Sequence, residues 1–167
     1  ALNTRMAILD GEDVRRVISI WCCTVVLEGL VITKGNDQTY SWGGGIYTGG
    51  NLGGASINWP LTDVTVTSCD IHHNQAMGGG VVCTGGVLQL NSCEIHHNQG
   101  LSGYGGGVEI TGGSTVANVN NCEIHHNSAY AGGGLRIGDG SVVNLNNCKI
   151  HHNRAALYSG IQYTLID

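Results

Sequence analysis

The sequence predicts an all-β fold, a β-solenoid in one domain spanning residues 1–167, and two repeated phrases predict it. The first phrase, Cys-x-Ile-His-His-Asn, occurs four times, at Cys69, Cys93, Cys122 and Cys148, so its copies start 24 to 29 residues apart. The second phrase is a glycine triplet followed by an apolar residue, and it begins at residues 43, 78, 105 and 132. Such a period is typical of a solenoid, in which each coil buries its apolar face only against neighbouring coils.

Each repeat is predicted to be one coil of three short strands. In one coil the alternation of apolar residues places strands at 107–111, 115–120 and 122–126, with glycine- or asparagine-rich turns between them. The chain then holds about six coils. The segment 51–61 interrupts the second coil as an insertion, which is either a functional loop or a lid over the side of the stack. No pattern indicates a helix, so no capping helix is expected.

Composition excludes several classes of protein. The chain has 28 glycines, one proline and 11% charged residues, and it lacks the Ala, Glu, Lys and Leu enrichment of helical repeats. The net charge is −5 and the seven Lys and Arg residues are scattered, whereas a nucleic-acid partner requires a clustered basic face. No apolar run approaches the length of a membrane span. The chain begins with Ala rather than Met, which fits a processed secreted protein or an excised fragment, and the expected location is extracellular or at the cell surface.

Alternation within the first phrase predicts which side chains face inward. Cys and Ile point into the solenoid, whereas the variable residue and the first His point out. The inward cysteines are expected to form a column of thiols rather than disulfides, because stacked Cβ vectors would be parallel. A cross-link stays open for Cys22, Cys23 or Cys83. The asparagines that end each phrase are expected to take a left-handed corner and to pass hydrogen bonds from coil to coil; they are Asn74, Asn98, Asn127 and Asn153.

The repeats resemble those of the right-handed parallel β-helix family, the pectate-lyase-like solenoids. More narrowly, the run Val-Asn-Leu-Asn-Asn-Cys-Lys-Ile-His-His-Asn-Arg-Ala at residues 143–155 resembles the repeats of polymorphic outer-membrane and surface proteins. Segments 8–11, 17–20 and 26–32 are similar to the family's usual first coils. The resemblance covers nearly the whole chain and implies right-handed coils. It implies little about activity, because the fold hosts lyases, hydrolases, adhesins and structural proteins.

The eight histidines form the first candidate site. Stacked coils would place the first His of each phrase in one column and the second His in a neighbouring column; the columns are His72, His96, His125, His151 and His73, His97, His126, His152. Imidazoles suit Zn, Cu or Ni, so adventitious binding of these ions is one interpretation and a plain polar ladder is the other. No resident cofactor is expected, because strands about 4.8 Å apart hold ring ligands too far apart for one metal and no column of carboxylates is expected beside them. Protonation would make the columns repel and weaken the solenoid below about pH 6.

An aromatic stripe is the second candidate site. Each of its members lies close to a glycine triplet or its last equivalent; they are Trp42, Tyr104, Tyr130 and Tyr158. Aromatic columns of this kind stack on sugars or on protein partners. Trp59 in the insertion is a further candidate for the same stacking. The alternative is that these rings cover the glycine-rich corner.

Catalysis is not expected from the sequence. The resemblance implies acidic calcium ligands with a basic residue in family lyases, and paired aspartates in family hydrolases. The outward positions of the glycine-led strands are expected to be exposed, and they hold Tyr47, Val82, Glu109 and Arg136, which include no facing pair of acids.

The two ends of the chain are expected to join copies of the protein. Met6 and Ile8 lie in the third strand of a coil, whereas Ile161 and Tyr163 lie in a first strand. One chain can therefore continue the coil of the next by strand addition, although a domain cut from a longer β-helix would show the same ends. The sequence predicts a non-catalytic extracellular structural subunit that forms a head-to-tail homopolymer. The alternative is a cell-surface adhesin or carbohydrate-binding β-helix fragment; a polysaccharide lyase or hydrolase and a metal binder on the histidine ladder are less favoured.

Overall fold

The computed structural model describes residues 6–37, 42–49, 62–101, 103–138, 140–157 and 160–163. These residues form 21 short β-strands and no helix, so the all-β prediction is confirmed for the described part of the chain. The strands pair in parallel with the equivalent strands of the neighbouring coils and build four sheets. The whole insertion at 51–61, with Trp59, lies outside the described residues, and so does Tyr158.

Two of the sheets have six strands, in agreement with the predicted number of coils. The histidine sheet carries the first phrase and consists of β1 (Ala7–Asp10), β4 (Leu30–Thr33), β7 (Asp70–His72), β11 (Glu94–His96), β15 (Glu123–His125) and β19 (Lys149–His151). The glycine-led sheet follows the glycine triplets and consists of β2 (Ile18–Trp21), β5 (Ile46–Gly49), β9 (Val81–Cys83), β13 (Val108–Ile110), β17 (Leu135–Ile137) and β21 (Ile161–Tyr163).

The second predicted strand of each coil belongs to the five-stranded valine sheet. It consists of β3 (Thr24–Glu28), β6 (Asp63–Thr67), β10 (Val87–Asn91), β14 (Val116–Asn120) and β18 (Val142–Asn146). The structure also has a fourth sheet, the corner sheet, which consists of β8 (Gln75–Ala76), β12 (Gln99–Gly100), β16 (Ser128–Ala131) and β20 (Arg154–Leu157). These strands of two to four residues were missed because they are too short to show an alternating pattern.

The register aligns identical residues of successive coils. Ile71, Ile95 and Ile124 are direct partners in the histidine sheet, and all three side chains are fully buried. Burying one such side chain contributes about 2 kcal/mol. A slip of one residue would expose a whole column of these side chains, so the alternating pattern holds the coils in register.

A buried ladder of asparagine amides links the coils, as the sequence predicts. The Oδ1 atom of Asn127 accepts hydrogen bonds from the backbone N–H and the Nδ2 of Asn98, at 2.9 and 3.0 Å. The Nδ2 of Asn98 also donates to the backbone oxygen of Ile71 at 2.9 Å. The same pattern joins Asn74 to Asn98 and Asn127 to Asn153. Each buried amide therefore has partners in a setting where an unpaired one is costly.

The predicted left-handed corner at these asparagines is wrong. The residue with positive φ is the second His of each phrase, with φ of 53° to 54° at His73, His97, His126 and His152. The physical reason is that the two neighbouring residues must point their side chains in opposite directions. The corner residue points its side chain to solvent, whereas the next residue must turn inward to serve backbone groups of the preceding coil.

The predicted column of inward thiols is confirmed. Cys69, Cys93 and Cys122 are buried, Cys148 at the end of the column is half-buried, and all seven cysteines of the chain are free. Each of the three buried thiols donates to the backbone oxygen two residues earlier, at 3.3 Å. Hydrogen bonds with the neighbouring thiols raise the pKa of Cys93, and burial raises the pKa of Cys83 to about 11. These two thiols are therefore protonated at neutral pH.

Candidate functional site

The eight histidines stand in two stacked columns on the outside of the histidine sheet, as predicted. Neighbouring rings in the first column have centroids 5.1 to 5.3 Å apart. Rings in the second column are 5.1 to 5.3 Å apart and lie within 5° of parallel. Nitrogen lone pairs lie in the ring plane, so lone pairs of parallel stacked rings do not converge on one point. The columns therefore do not offer a shared metal position between coils.

Within each coil, the two histidine rings of the phrase contact each other, which the sequence did not reveal. The two rings of a phrase are almost perpendicular, at 86° to 89°. Their Nδ1 atoms face each other at 2.8 Å in the His72–His73 pair and at 2.6 Å in the His151–His152 pair. Both remaining pairs have an Nδ1–Nδ1 distance of 2.7 Å. A contact this short requires one nitrogen to carry a proton and the other a lone pair.

Carboxylates complete the arrangement, so the expectation that no carboxylate column lies beside the histidines is wrong. The Nε2 of His96 lies 2.9 Å from Asp70 Oδ1, in the preceding coil. The same contact joins His125 to Glu94 at 3.0 Å and His151 to Glu123 at 2.8 Å. The variable residue of one coil is a diagonal neighbour of the first His of the next coil, within reach of a long side chain. The sequence indicated this contact, because the variable residue is an acid in three of the four phrases.

The contacts determine the positions of the protons. An ionised carboxylate only accepts hydrogen bonds, so the Nε2 of the first His carries a proton in the last three phrases. In the neutral ring its Nδ1 then has a lone pair that points at the second His. The second His can donate from its own Nδ1, which leaves its Nε2 toward solvent. In each of the last three phrases, the first imidazole therefore donates a hydrogen bond to a carboxylate and accepts one from the more exposed second imidazole.

The pKa shifts of this face follow from burial and from neighbouring charges. Burial lowers the pKa of His96, although Asp70 opposes the shift. Loss of solvent and repulsion from the rings around it lower the pKa of His126. The hydrogen bond from His151 lowers the pKa of Glu123. These shifts favour neutral imidazoles beside ionised carboxylates at neutral pH.

Two open grooves lie next to the histidine sheet. The first has a volume of about 540 Å³ and is lined by polar side chains that include Lys34, His73, Gln75, His97 and Gln99. The second, also about 540 Å³, follows the corner sheet and is lined by Gln99, Leu101, Ser128, Tyr130 and Arg154 among others. The second groove combines an aromatic ring with hydrogen-bonding groups, which is the composition of many ligand sites.

The described residues show only parts of the predicted aromatic stripe. Tyr130 is 56% exposed and borders the second groove. Tyr104 is a neighbour of this segment through its pairing with Ala131, but its ring lies over the guanidinium of Arg136 at 4.1 Å. Trp42 is half-buried. Tyr130 is therefore the described member whose ring is most available to a ligand.

The outward side of the glycine-led sheet is covered, so the expected exposure of Tyr47, Val82 and Glu109 is wrong. The first glycine of each triplet packs on the outward residue four positions later. A Cβ atom on Gly105 would come within 2.5 Å of Glu109 Cβ, and one on Gly78 within 2.4 Å of Val82 Cγ2. Glu109 accepts a hydrogen bond from Arg136 Nη1 at 2.7 Å. The absence of a glycine side chain lets the chain fold over its own strand.

Two classes of feature are absent from the described part of the chain. No three or more His, Cys, Asp or Glu side chains within it group as a metal site. Within the same residues, no helix has the length and apolar character needed to cross a bilayer.

Comparison with known proteins supports the architecture. The family model described as a right-handed beta helix region matches residues 18–165. No curated protein and no solved structure matches the chain. The finer resemblances to pectate-lyase-like solenoids and to repeats of polymorphic surface proteins stay predictions.

Proposed function

Because the chain belongs to the right-handed β-helix family, we propose that it is a non-catalytic extracellular structural protein whose copies stack along the solenoid axis. The observation that supports stacking is the pair of end surfaces of the described coils. Among the described strands, β1, β2 and β3 pair on one side only, and so do β18, β19 and β21 at the other end. Unpaired parallel edges are templates for a further strand.

The end surfaces are also apolar. Leu145 continues the inward column of Val119 and Leu90, and Ile161 continues that of Leu135. Leu145 is 37% and Ile161 is 45% exposed, whereas their partners in the middle coils are fully buried. A second copy that covers these side chains would gain about 25 cal/mol for each Å² of apolar surface buried.

The opposite end supplies the complementary surface, with a correction to the predicted residues. Ile8 pairs with Val31 and lies at the outward position, whereas Leu9 pairs with the buried Ile32 and continues the inward column. Met6 precedes β1 and is exposed, and the backbone of Tyr163 pairs with Ile137. A joint in which β19 meets β1 and β21 meets β2 of the next copy would continue both six-stranded sheets in parallel.

The acids of the outward faces support the non-catalytic part of the proposal. Asp70, Glu94 and Glu123 contact imidazoles, and Glu109 contacts Arg136. Glycoside cleavage requires two acids that face each other across a substrate. Each of these four carboxylates is instead engaged by a basic side chain.

Electron microscopy of the purified chain at neutral pH tests the stacking. We expect unbranched fibres with an axial repeat of about 30 Å, six coils at the strand spacing. Leu145→Glu, which places a charge on the inward column at the end surface, should abolish fibres. Val142→Glu is the matched control, because Val142 lies in the same strand and is already 54% exposed. Isolated short particles of the unmodified chain, or equal loss of fibres in both variants, would contradict the proposal.

The second groove favours one alternative, a cell-surface adhesin or carbohydrate-binding protein. Tyr130 offers an exposed ring beside Gln99, Ser128 and Arg154, and sugars stack on aromatic faces while polar groups bond their hydroxyls. Binding to a glycan array should fall at least tenfold in Tyr130→Ala, with Tyr104→Ala as the control because Tyr104 already covers Arg136. An array without a positive glycan, or equal loss in both variants, would reject this alternative.

A further inference from the structure

We propose that each histidine pair is a chelating site for a divalent transition-metal ion, bound through the Nδ1 atoms of both rings of one coil. The four sites are His72 with His73, His96 with His97, His125 with His126, and His151 with His152. Zn, Cu and Ni are the ions that imidazole nitrogens suit. This site is independent of the stacking proposed above.

Distances favour a site within a coil over a site along a column. A tetrahedral ion with Zn–N bonds of about 2.05 Å holds two nitrogens roughly 3.3 Å apart. The Nδ1 atoms of a pair are 2.6 to 2.8 Å apart, so they need to separate by about 0.6 Å, with a rotation of the rings that points both lone pairs at the ion. Stacked rings of one column are 5.1 to 5.3 Å apart and would have to abandon their parallel packing to approach.

The carboxylates prepare the first ring of each pair as a ligand. The acids hold a proton on the Nε2 of His96, His125 and His151, and this leaves a lone pair on Nδ1. Histidines that bind metals commonly donate their other N–H to a carboxylate in this way, and the contact fixes the tautomer and raises the basicity of the ligand. The His72 pair differs, because the Nδ1 of His72 also lies 3.1 Å from Thr33 Oγ1.

The second ring of each pair is free to change tautomer. It lies at the exposed corner, and none of the described contacts fixes a proton on its Nε2. When Nε2 carries the proton, the Nδ1 of the second ring has a lone pair. The Nδ1 lone pairs of both rings are then available to one ion. Water would fill the other positions around the ion. Two protein ligands bind less tightly than the four of a structural zinc site, and charges one coil apart repel, so the four sites should fill unequally.

Equilibrium dialysis of the full chain against Zn²⁺ alone tests the proposal. The variant Cys22→Ser/Cys23→Ser is the background, because these two thiols are the more accessible ones outside the column and cysteine thiolates are zinc ligands in their own right. We expect one to four Zn²⁺ ions per chain. Changing all four second histidines to Asn should remove this binding while preserving the left-handed corner, which Asn tolerates. Retention of zinc by that variant, or no binding by the background protein at millimolar Zn²⁺, would overturn the proposal.

Two further measurements do not depend on the folding of that variant. X-ray absorption of the zinc-loaded background protein should show nitrogen and oxygen neighbours near 2.0–2.1 Å. A dominant sulfur shell near 2.3 Å would assign the metal to cysteines and overturn the proposal. The triple variant Asp70→Asn/Glu94→Gln/Glu123→Gln keeps all eight rings, and it should bind zinc about 10- to 100-fold more weakly. Unchanged affinity would contradict the role of the carboxylates. Leu145→Glu should bind zinc as the background protein does, which separates this site from the stacking.

Discussion

The histidine sheet and the glycine-led sheet belong to the same coils and have the same parallel register, yet their outward sides differ. Outward positions of the histidine sheet repeat the same residue types and are only partly covered, as at His96 and His125, whose side chains keep 17% and 13% of their exposure. Outward positions of the glycine-led sheet differ from coil to coil and are buried, as at Tyr47, Val82 and Glu109. An open face can present one chemical unit many times, whereas a covered face is stabilised by contacts that are individual to each coil.

The largest expected difference concerns the acids of the two faces. Glu109 is fully buried against Arg136, so Glu109→Gln should cost about 3 kcal/mol, because it leaves a buried cation without its charged partner. Glu94 is half exposed against His125, and Glu94→Gln should cost less than about 1 kcal/mol. Urea unfolding of the two variants measures both values. Equal costs would show that the covered face is not the more strongly stabilising one.

A smaller difference is expected between the inner and outer asparagine ladders. Asn127→Ala removes a buried amide that serves two neighbouring coils and should cost about 2 kcal/mol. Asn118→Ala removes the exposed contact with Asn144 on the valine sheet and should cost about 0.5 kcal/mol. The urea midpoints of the two variants test the order. A reversed order would mean that solvent replaces the inner amide without penalty.

The smallest expected effect is the dependence of stability on pH. The pKa of His96 is lowered in the folded protein by burial and by repulsion from His72, while Asp70 and Glu94 oppose the shift. The pKa of His126 is lowered by loss of solvent and by repulsion from His97, His125, His151 and His152. Between the lowered pKa values of the folded protein and about pH 6.5, the usual histidine pKa, the unfolded chain therefore binds more protons than the folded protein. Their contribution to stability is complete above about pH 6.5 and is lost as the pH falls toward the folded values.

Urea midpoints measured between pH 8 and pH 5 test this sign. We expect them to fall with pH, and His126→Asn should flatten the curve because Asn keeps the corner without a titrating ring. A curve that stays flat for the unmodified protein would contradict the prediction. Matched measurements on Asn118→Ala provide the control, since that change leaves the titrating groups in place.

Much of the fold could be predicted because the repeat carries it locally. The inward cysteines and isoleucines followed from alternation, and the buried amide ladder followed from the repeated Asn. The corner sheet could not be predicted, since Gln75–Ala76 is too short for a pattern. The left-handed residue was assigned one position too late, because His and Asn both reach that conformation and only the inward turn of Asn74 separates them.

The candidate site was predicted in outline and missed in its chemistry. Two columns of imidazoles followed from the repeat. The Nδ1 contacts within each coil and the carboxylates between coils did not, because they depend on rotamers and on a diagonal relation across strands. Asp70 and His96 are far apart in the sequence, and the register brings them to 2.9 Å.

By itself the sequence determined the solenoid, the inward columns and the order of strands in each coil, because period-two alternation and the spacing of the repeat are local properties of the chain. Only the tertiary structure decided which atoms meet. It pairs the two rings of each coil, places an acid of one coil on an imidazole of the next, and buries Glu109 beneath the fold of its own glycine triplet. These contacts arise between neighbouring coils and from the direction of side chains, which a repeated pattern of residue types does not specify.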